Sequence, residues 1–273
     1  MSLDFKVSSG CFGDFIIVKR DTPNVRAAML SSGARRVERE HYVAYLWGFP
    51  DSQTLLSGIG VVGGRLVIGP TPLATFPDEI LGQCVMLDLG TRARVRPDVF
   101  GMHPVFVGGE LVTNRLHLAA LVVGRLDTPA HTAVLLCDSA FSRQLNTLET
   151  PVSGVRLLRA DEEVEVESRV SVRRWPSDFS PLDVEEYRYL IRRGAEDVRT
   201  NVAAALDSGR HITSAVTGGR DSRVVFAALV SLGRVAEVGC VTAPGGRDIE
   251  IGSGLVRRFG GAYRTTPFTV WDE

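Results

Sequence analysis

The sequence predicts a mixed α/β protein: a β-rich α+β unit followed by an α/β unit with parallel strands. Three patterns carry that reading. From residue 10 to about 175, apolar runs of strand length are separated by Gly, Pro and Asp clusters. Between residues 184 and 205, apolar residues recur at the spacing of one helical face. From residue 212 the pattern reads strand, helix, strand, helix, strand, which implies parallel strands joined by right-handed crossovers. A chain of 273 residues with 44% hydrophobic content has room for two cores. The boundaries drawn from these patterns are 1–176 for the β-rich unit, 177–210 for a linker helix and 211–273 for the parallel unit.

In the first unit, "FIIVKR", "HYVAYLWG", "GRLVIG", "CVMLDL" and "HPVFVGG" read as strands, and "LHLAALVV" and "TAVLLCDSAF" as short helices covering a sheet. "EEVEVES" alternates Val164 and Val166 with Glu163, Glu165 and Glu167, so one edge is apolar and the other acidic. The acidic row is read as a solvated face, and so is the row Arg92, Arg94 and Arg96 in "TRARVRPD". "GIGVVGG", residues 58–64, formally matches the dinucleotide fingerprint G-x-G-x-x-G, with Asp78 downstream. That fingerprint needs a helix to open inside it, yet strand-like residues and two prolines follow. The stretch is therefore read as a β-turn.

The linker is expected to begin in "RRWPSDFSPLD", residues 173–183, with Ser180 as helix cap, Pro181 in the first turn and Asp183 three residues after the cap. Val184, Tyr187, Ile191, Val198, Val202 and Ala205 then mark one apolar face, and Gly209 stops the helix. "HITSAV" reads as a buried strand. A helix over 221–232 ends at Gly233, and "VAEVGCVTA" is a second strand. "DIEIGSGLVRRF" is a second helix ended by Gly260 and Gly261, and "AYRTTPF" is a third strand.

Composition narrows the function classes. The formal net charge is -1, from 31 basic and 32 acidic residues, so no long-range field gathers nucleic acid. The longest apolar runs, such as 118–123, are too short to span a bilayer, and the first thirty residues lack an apolar core of signal-peptide length. A cytoplasmic protein without a membrane or nucleic-acid partner is expected. The cysteines at 11, 84, 137 and 240 form no CxxC unit, and the histidines at 41, 103, 117, 131 and 211 show no HExxH spacing. A sequence-local zinc site is not expected.

The stretch with chemical content is "ITSAVTGGRDSR", residues 212–223. A strand delivers the chain to Thr217, Gly218 and Gly219 allow a tight turn and close approach of an anion, and a helix opens directly afterwards. Amides at a helix start and the macrodipole favour phosphate. Thr217 and Ser222 can add hydroxyl donors, and Asp221 can hold a magnesium ion that bridges phosphate oxygens. The Walker pattern is absent.

"TGGRDS" resembles the pyrophosphate loop, S-G-G-x-D-S, of the N-type ATP pyrophosphatases, with Thr217 in place of serine. The order of elements is similar to that of the asparagine synthetase superfamily, which includes β-lactam synthetases and lasso-peptide cyclases. Upstream, "VRPDVFGMHPVFV", residues 95–107, is similar to the D-x-x-G-x-x-P hairpin of that superfamily's amino-terminal domain. "TPVSGVRLLRADEEVEVES", through "RRW", is similar to its late strand pair. The resemblance implies a degenerate class II glutamine amidotransferase-like layered domain ahead of a partial adenine nucleotide α-hydrolase-like βαβαβ domain.

A glutaminase of that class uses an amino-terminal cysteine. This chain starts Met1-Ser2-Leu3, its nearest cysteine is Cys11 and no R-x-R-G-P-D stretch is recognisable, so the resemblance implies a non-hydrolysing relic. The superfamily's later G-x-G-x-D-E segment has no counterpart before "TVWDE", so a truncated, split or degenerate member is expected. The implied cofactors are ATP and Mg2+. Thr217, Gly218, Gly219 and Ser222 would hold the β,γ-pyrophosphate, Asp221 the magnesium, and Arg220 or Arg223 would neutralise phosphate charge, a solvated position at the helix start being the alternative for each arginine.

The adenine would lie near the backbone of Cys240, Val241 and Thr242. Asp248 is read as the cap of its helix, with a place in the same cleft as the alternative. The implied reaction is adenylation of a small-molecule or peptide carboxylate, then capture by an amine to give an amide, with no catalytic side chain assigned. A partner subunit or self-association would complete the domain. The alternative is a non-catalytic nucleotide-binding or interaction subunit. A tRNA-thiolating or NAD-synthesising pyrophosphatase is a further rival, set aside because those families lack the β-rich domain.

Overall fold

The computed structural model describes residues 12–77, 80–127, 129, 148–175, 181–242 and 247–265. "TAVLLCDSAF", Asp78, Ser180, Cys11, Cys137 and His131 lie outside them. The fold is mixed α/β, with three sheets among the described residues, and the chain divides near residue 178 into two compact units.

The first unit runs β1 (Asp14–Val18), α1 (Pro23–Ser31), β2 (Arg35–Glu38), β3 (Val43–Trp47), β4 (Thr54–Val62), β5 (Arg65–Ile68), β6 (Thr71–Pro72), β7 (Leu81–Leu89), β8 (Ala93–Pro97), β9 (Phe106–Gly108) and β10 (Leu111–Thr113). α2 (Leu116–Val123), β11 (Val155–Leu157), β12 (Glu162–Val166) and β13 (Val170–Arg174) complete it. One sheet has the order β11-β9-β10-β1-β3-β2 and the other β13-β12-β8-β7-β4-β5, with β6 against β4.

Period two explains the stacking. Phe15 and Ile17 of β1 and Ala44 and Leu46 of β3 face one core, which they share with Leu55, Leu87, Val95 and Val164 of the other sheet. Ile16, Val18, Val43, Tyr45 and Trp47 face the opposite way and meet Met29 of α1 and Leu118 of α2. The layers are therefore helix, sheet, sheet. β1 and β3 of the first sheet are buried on both faces, which is why they read as unbroken apolar runs. "GIGVVGG" is the end of β4 and a hairpin turn: Gly63 and Gly64 take φ of 56° and 75°, the paired positive angles that a two-residue hairpin needs.

The two charged rows are not solvated faces, contrary to the sequence reading. β12 pairs antiparallel with β8, and Glu165 stands opposite Arg94, so the acidic and basic rows lie side by side. Glu163 and Arg96 are buried, with Arg96 Nε donating to Glu163 Oε2 at 2.7 Å and Arg94 Nη2 donating at 3.2 Å. Phe76 lies under both guanidinium groups and Trp175 under that of Arg96. Only the ends of the rows, Arg92 and Glu167, are exposed.

The "DVFGMHP" stretch also has a physical explanation. Asp98 is fully buried, and its carboxylate accepts from the amides of Cys84, Phe100, Met102 and His103 at 3.0–3.3 Å. Gly101 supplies the positive φ of 63° that the loop requires. The loop delivers His103 beside Asn114, whose Nδ2 lies 3.2 Å from His103 Nε2 and whose amide also bonds Phe15 N–H and Gly13 C=O.

The second unit runs α3 (Val184–Leu206), β14 (Ile212–Ala215), α4 (Arg220–Ser231), a 3-10 turn at Val235–Glu237, β15 (Val238–Thr242), α5 (Arg247–Arg258) and β16 (Ala262–Thr265). The strands are parallel in the order β14-β15-β16. The cap of α3 is Asp183: its carboxylate accepts from the Glu185 and Glu186 amides, and Glu186 reciprocates to the Asp183 amide. The predicted apolar stripe is used only at its carboxyl-terminal end. Val202 and Leu206 pack with Phe226, Leu229, Val238 and Val256, whereas Val184, Tyr187 and Ile191 are 64%, 58% and 56% exposed.

β14 is likewise half-buried rather than buried. Ile212 faces the core while Thr213 and Ala215 are exposed, because Leu206, Phe226 and Val256 of the three helices join that one core. Among the described residues no helix is long and apolar enough to cross a membrane.

Candidate functional site

The glycine-rich loop lies at the carboxyl end of β14, the edge where open parallel sheets place their ligands. Strand character continues one residue past β14, since Val216 N–H donates to Val241 C=O at 3.0 Å. The chain then turns through Thr217, Gly218 and Gly219 into α4, whose N-cap is Gly219. A glycine has no side chain to cap the first-turn amides, and none is capped that way.

The Thr217 and Ser222 hydroxyls are 3.0 Å apart, and Ser222 Oγ accepts from Thr217 N–H at 3.1 Å. Gly219 N–H donates to Thr217 Oγ1 at 3.1 Å. Two hydroxyls thus hold the turn closed from inside. Arg220 and Asp221 are exposed in the first turn of α4. Arg223 reaches back, its Nε donating to Gly219 C=O at 3.0 Å, so this arginine braces the loop.

Asp248 is not a cap. It lies inside α5, and its Oδ1 accepts from Gly218 N–H at 2.9 Å across 30 residues of sequence. A Cβ at position 218 would come within 2.7 Å of that oxygen and 3.0 Å of Ile251 Cδ1, so only glycine leaves room for the contact. Gly252 serves α5 in the same way: a Cβ there would meet Val216 C=O at 2.4 Å and Tyr263 Oη at 2.6 Å. Tyr263 donates to that carbonyl at 3.3 Å. Two glycines, one on each element, therefore set how close α5 comes to the loop.

At the proposed adenine position the Val241 carbonyl is engaged by Val216, and the Cys240 side chain is buried in the core, which pushes its thiol pKa up. Thr242 ends β15. The structure brings Thr217, Gly218, Gly219, Arg220, Asp221, Ser222 and Arg223 together on one turn with Asp248 facing them. Among the described residues no group of three or more His, Cys, Asp or Glu side chains is placed to hold a metal by itself. The role of Asp248 was legible only as an acidic residue at a helix start. Its aim depends on the spacing of α5 from β14.

No family model matches the chain, and no curated protein matches it.

Proposed function

We propose that the chain is an asparagine synthetase-like protein that grips the pyrophosphate of Mg-ATP at residues 217–223, as part of an ATP-dependent amide-forming ligase. The observation that carries this reading is the parallel strand, glycine turn and uncapped helix start, with two hydroxyls and an exposed carboxylate on the same turn. Amides of the first turn of α4 and the guanidinium of Arg220 would bear the phosphate charge. The Thr217 and Ser222 hydroxyls would exchange their mutual contact for phosphate oxygens.

Asp221 fits a magnesium ion by its chemistry, because magnesium takes one or two carboxylates and completes its shell with substrate phosphates and water. Bound there, the metal would neutralise phosphate charge. A substrate carboxylate would attack the α-phosphate, releasing pyrophosphate and forming an acyl-adenylate. An amine would then displace AMP to give the amide. The loop would contribute positioning and charge neutralisation at the leaving pyrophosphate.

Calorimetry of the chain with Mg-ATP tests the reading. Binding that Asp221→Ala abolishes is expected, and no heat at millimolar nucleotide sinks it. A second reading, a non-catalytic interaction subunit of the same descent, draws support from the exposed apolar half of α3. It is favoured if the chain associates with a partner or with itself and shows no ATP-pyrophosphate exchange.

A further inference from the structure

The loop's three backbone donors are all committed inside the protein. Thr217 N–H goes to Ser222 Oγ, Gly219 N–H to Thr217 Oγ1 and Gly218 N–H to Asp248 Oδ1, at 3.1, 3.1 and 2.9 Å. The first two acceptors are neutral hydroxyls of the loop itself, which rotate and can serve a ligand in turn. The third carries a negative charge and belongs to another helix, and the structure spends the Cβ of residue 218 to let it in.

We infer that Asp248 is a specificity-determining residue of this loop: its carboxylate sets the loop against metal-free polyphosphate and in favour of polyphosphate that carries a divalent cation. The inference rests on the reading of residues 217–223 as a pyrophosphate grip. A phosphate oxygen that takes the Gly218 N–H must displace a group of its own sign. Displacement does not remove the repulsion, because α5 is anchored against Val216 at Gly252 and keeps Asp248 near the turn.

Asp221, exposed in the first turn of α4, adds a second negative charge to the loop. The uncapped amides and Arg220 attract any anion, so without these carboxylates the loop would take a bare phosphate chain readily. With them, a cation on the phosphates turns two repulsions into attractions.

The experiment compares the full chain with Asp248→Asn and Asp248→Ala, both at an exposed position. Asparagine keeps an oxygen acceptor for Gly218 and removes the charge, whereas alanine removes both. Inorganic pyrophosphate is titrated calorimetrically with magnesium and again with chelator. Asp248→Asn is expected to bind metal-free pyrophosphate roughly five- to tenfold more tightly than the parent, the effect of one near charge contact in water, so the preference for the magnesium form falls by at least that factor. The Gly218 amide signal in an N-15 spectrum should stay near its parent position in Asp248→Asn and move in Asp248→Ala. An unchanged preference in Asp248→Asn overturns the inference while Mg-ATP binding by the parent keeps the grip standing. Failure of all three proteins to bind pyrophosphate or Mg-ATP overturns both.

Discussion

His103 shows what a single buried residue imposes. Burial and then the nearby Arg115 charge push its pKa down from 6.5 to about 4. Asn114 spends its oxygen on Phe15 N–H and one amide proton on Gly13 C=O, so its other proton is the one that faces His103 Nε2. The neutral imidazole accepts there, and an imidazolium has no acceptor to offer. Because the folded value lies below the free one, the unfolded chain takes up the proton first. Stability is full above about pH 6.5, falls as the pH drops through this window, and levels off near 4. At about 1.4 kcal/mol per pKa unit the loss reaches roughly 3 kcal/mol. Urea unfolding at a series of pH values should show this slope in the parent and lose it in His103→Gln, whose side-chain oxygen still accepts from Asn114.

At the scale of elements, α3 is one sequence pattern in two environments. Its 23 residues carry a repeating apolar stripe, yet Ile191 of that stripe is 56% exposed while Leu206, which the stripe did not include, is buried among Val216, Phe226 and Val238. Leu206→Ala should cost about 2–5 kcal/mol, the range for a buried leucine truncated in a core. Ile191→Ala should stay within about 0.5 kcal/mol, as exposed sites do. Equal losses in denaturant titrations would show that the whole stripe is packed. Periodicity made the helix legible; it did not say how far the neighbouring helices extend along it. The same limit applies to the Arg92–Arg96 and Glu163–Glu167 rows, whose alternation was legible while their mutual pairing depended on β8 meeting β12.

At the scale of the whole molecule, two units with separate cores should respond separately. Glu163 lies beneath two arginines in the first unit, and Glu163→Gln removes the buried negative charge that Arg94 and Arg96 share. Loss of one partner of a buried ion pair costs about 3–5 kcal/mol. Scanning calorimetry should therefore show Glu163→Gln lowering one transition and Leu206→Ala the other, and a single transition moved equally by both would show one cooperative unit.

The sequence alone determined the strands of the first unit that read as apolar runs, the change to parallel alternation after residue 212 and the strand–turn–helix at Thr217–Ser222, because these follow from local periodicity and glycine positions; the helix at Pro23–Ser31 and the strand at Arg35–Glu38 carried no such pattern. The stretch holding Asp98, Gly101 and Pro104 stood out only by its resemblance to a known hairpin, and the structure supplies a physical reason for it in the four amides that Asp98 holds. What only the tertiary structure decided is which charges meet: Glu163 with Arg96, and Asp248 with the Gly218 amide. Those contacts depend on strand order and on the approach of one helix to one strand. That approach is set by the missing side chains of Gly218 and Gly252, whose purpose no pattern along the chain expresses.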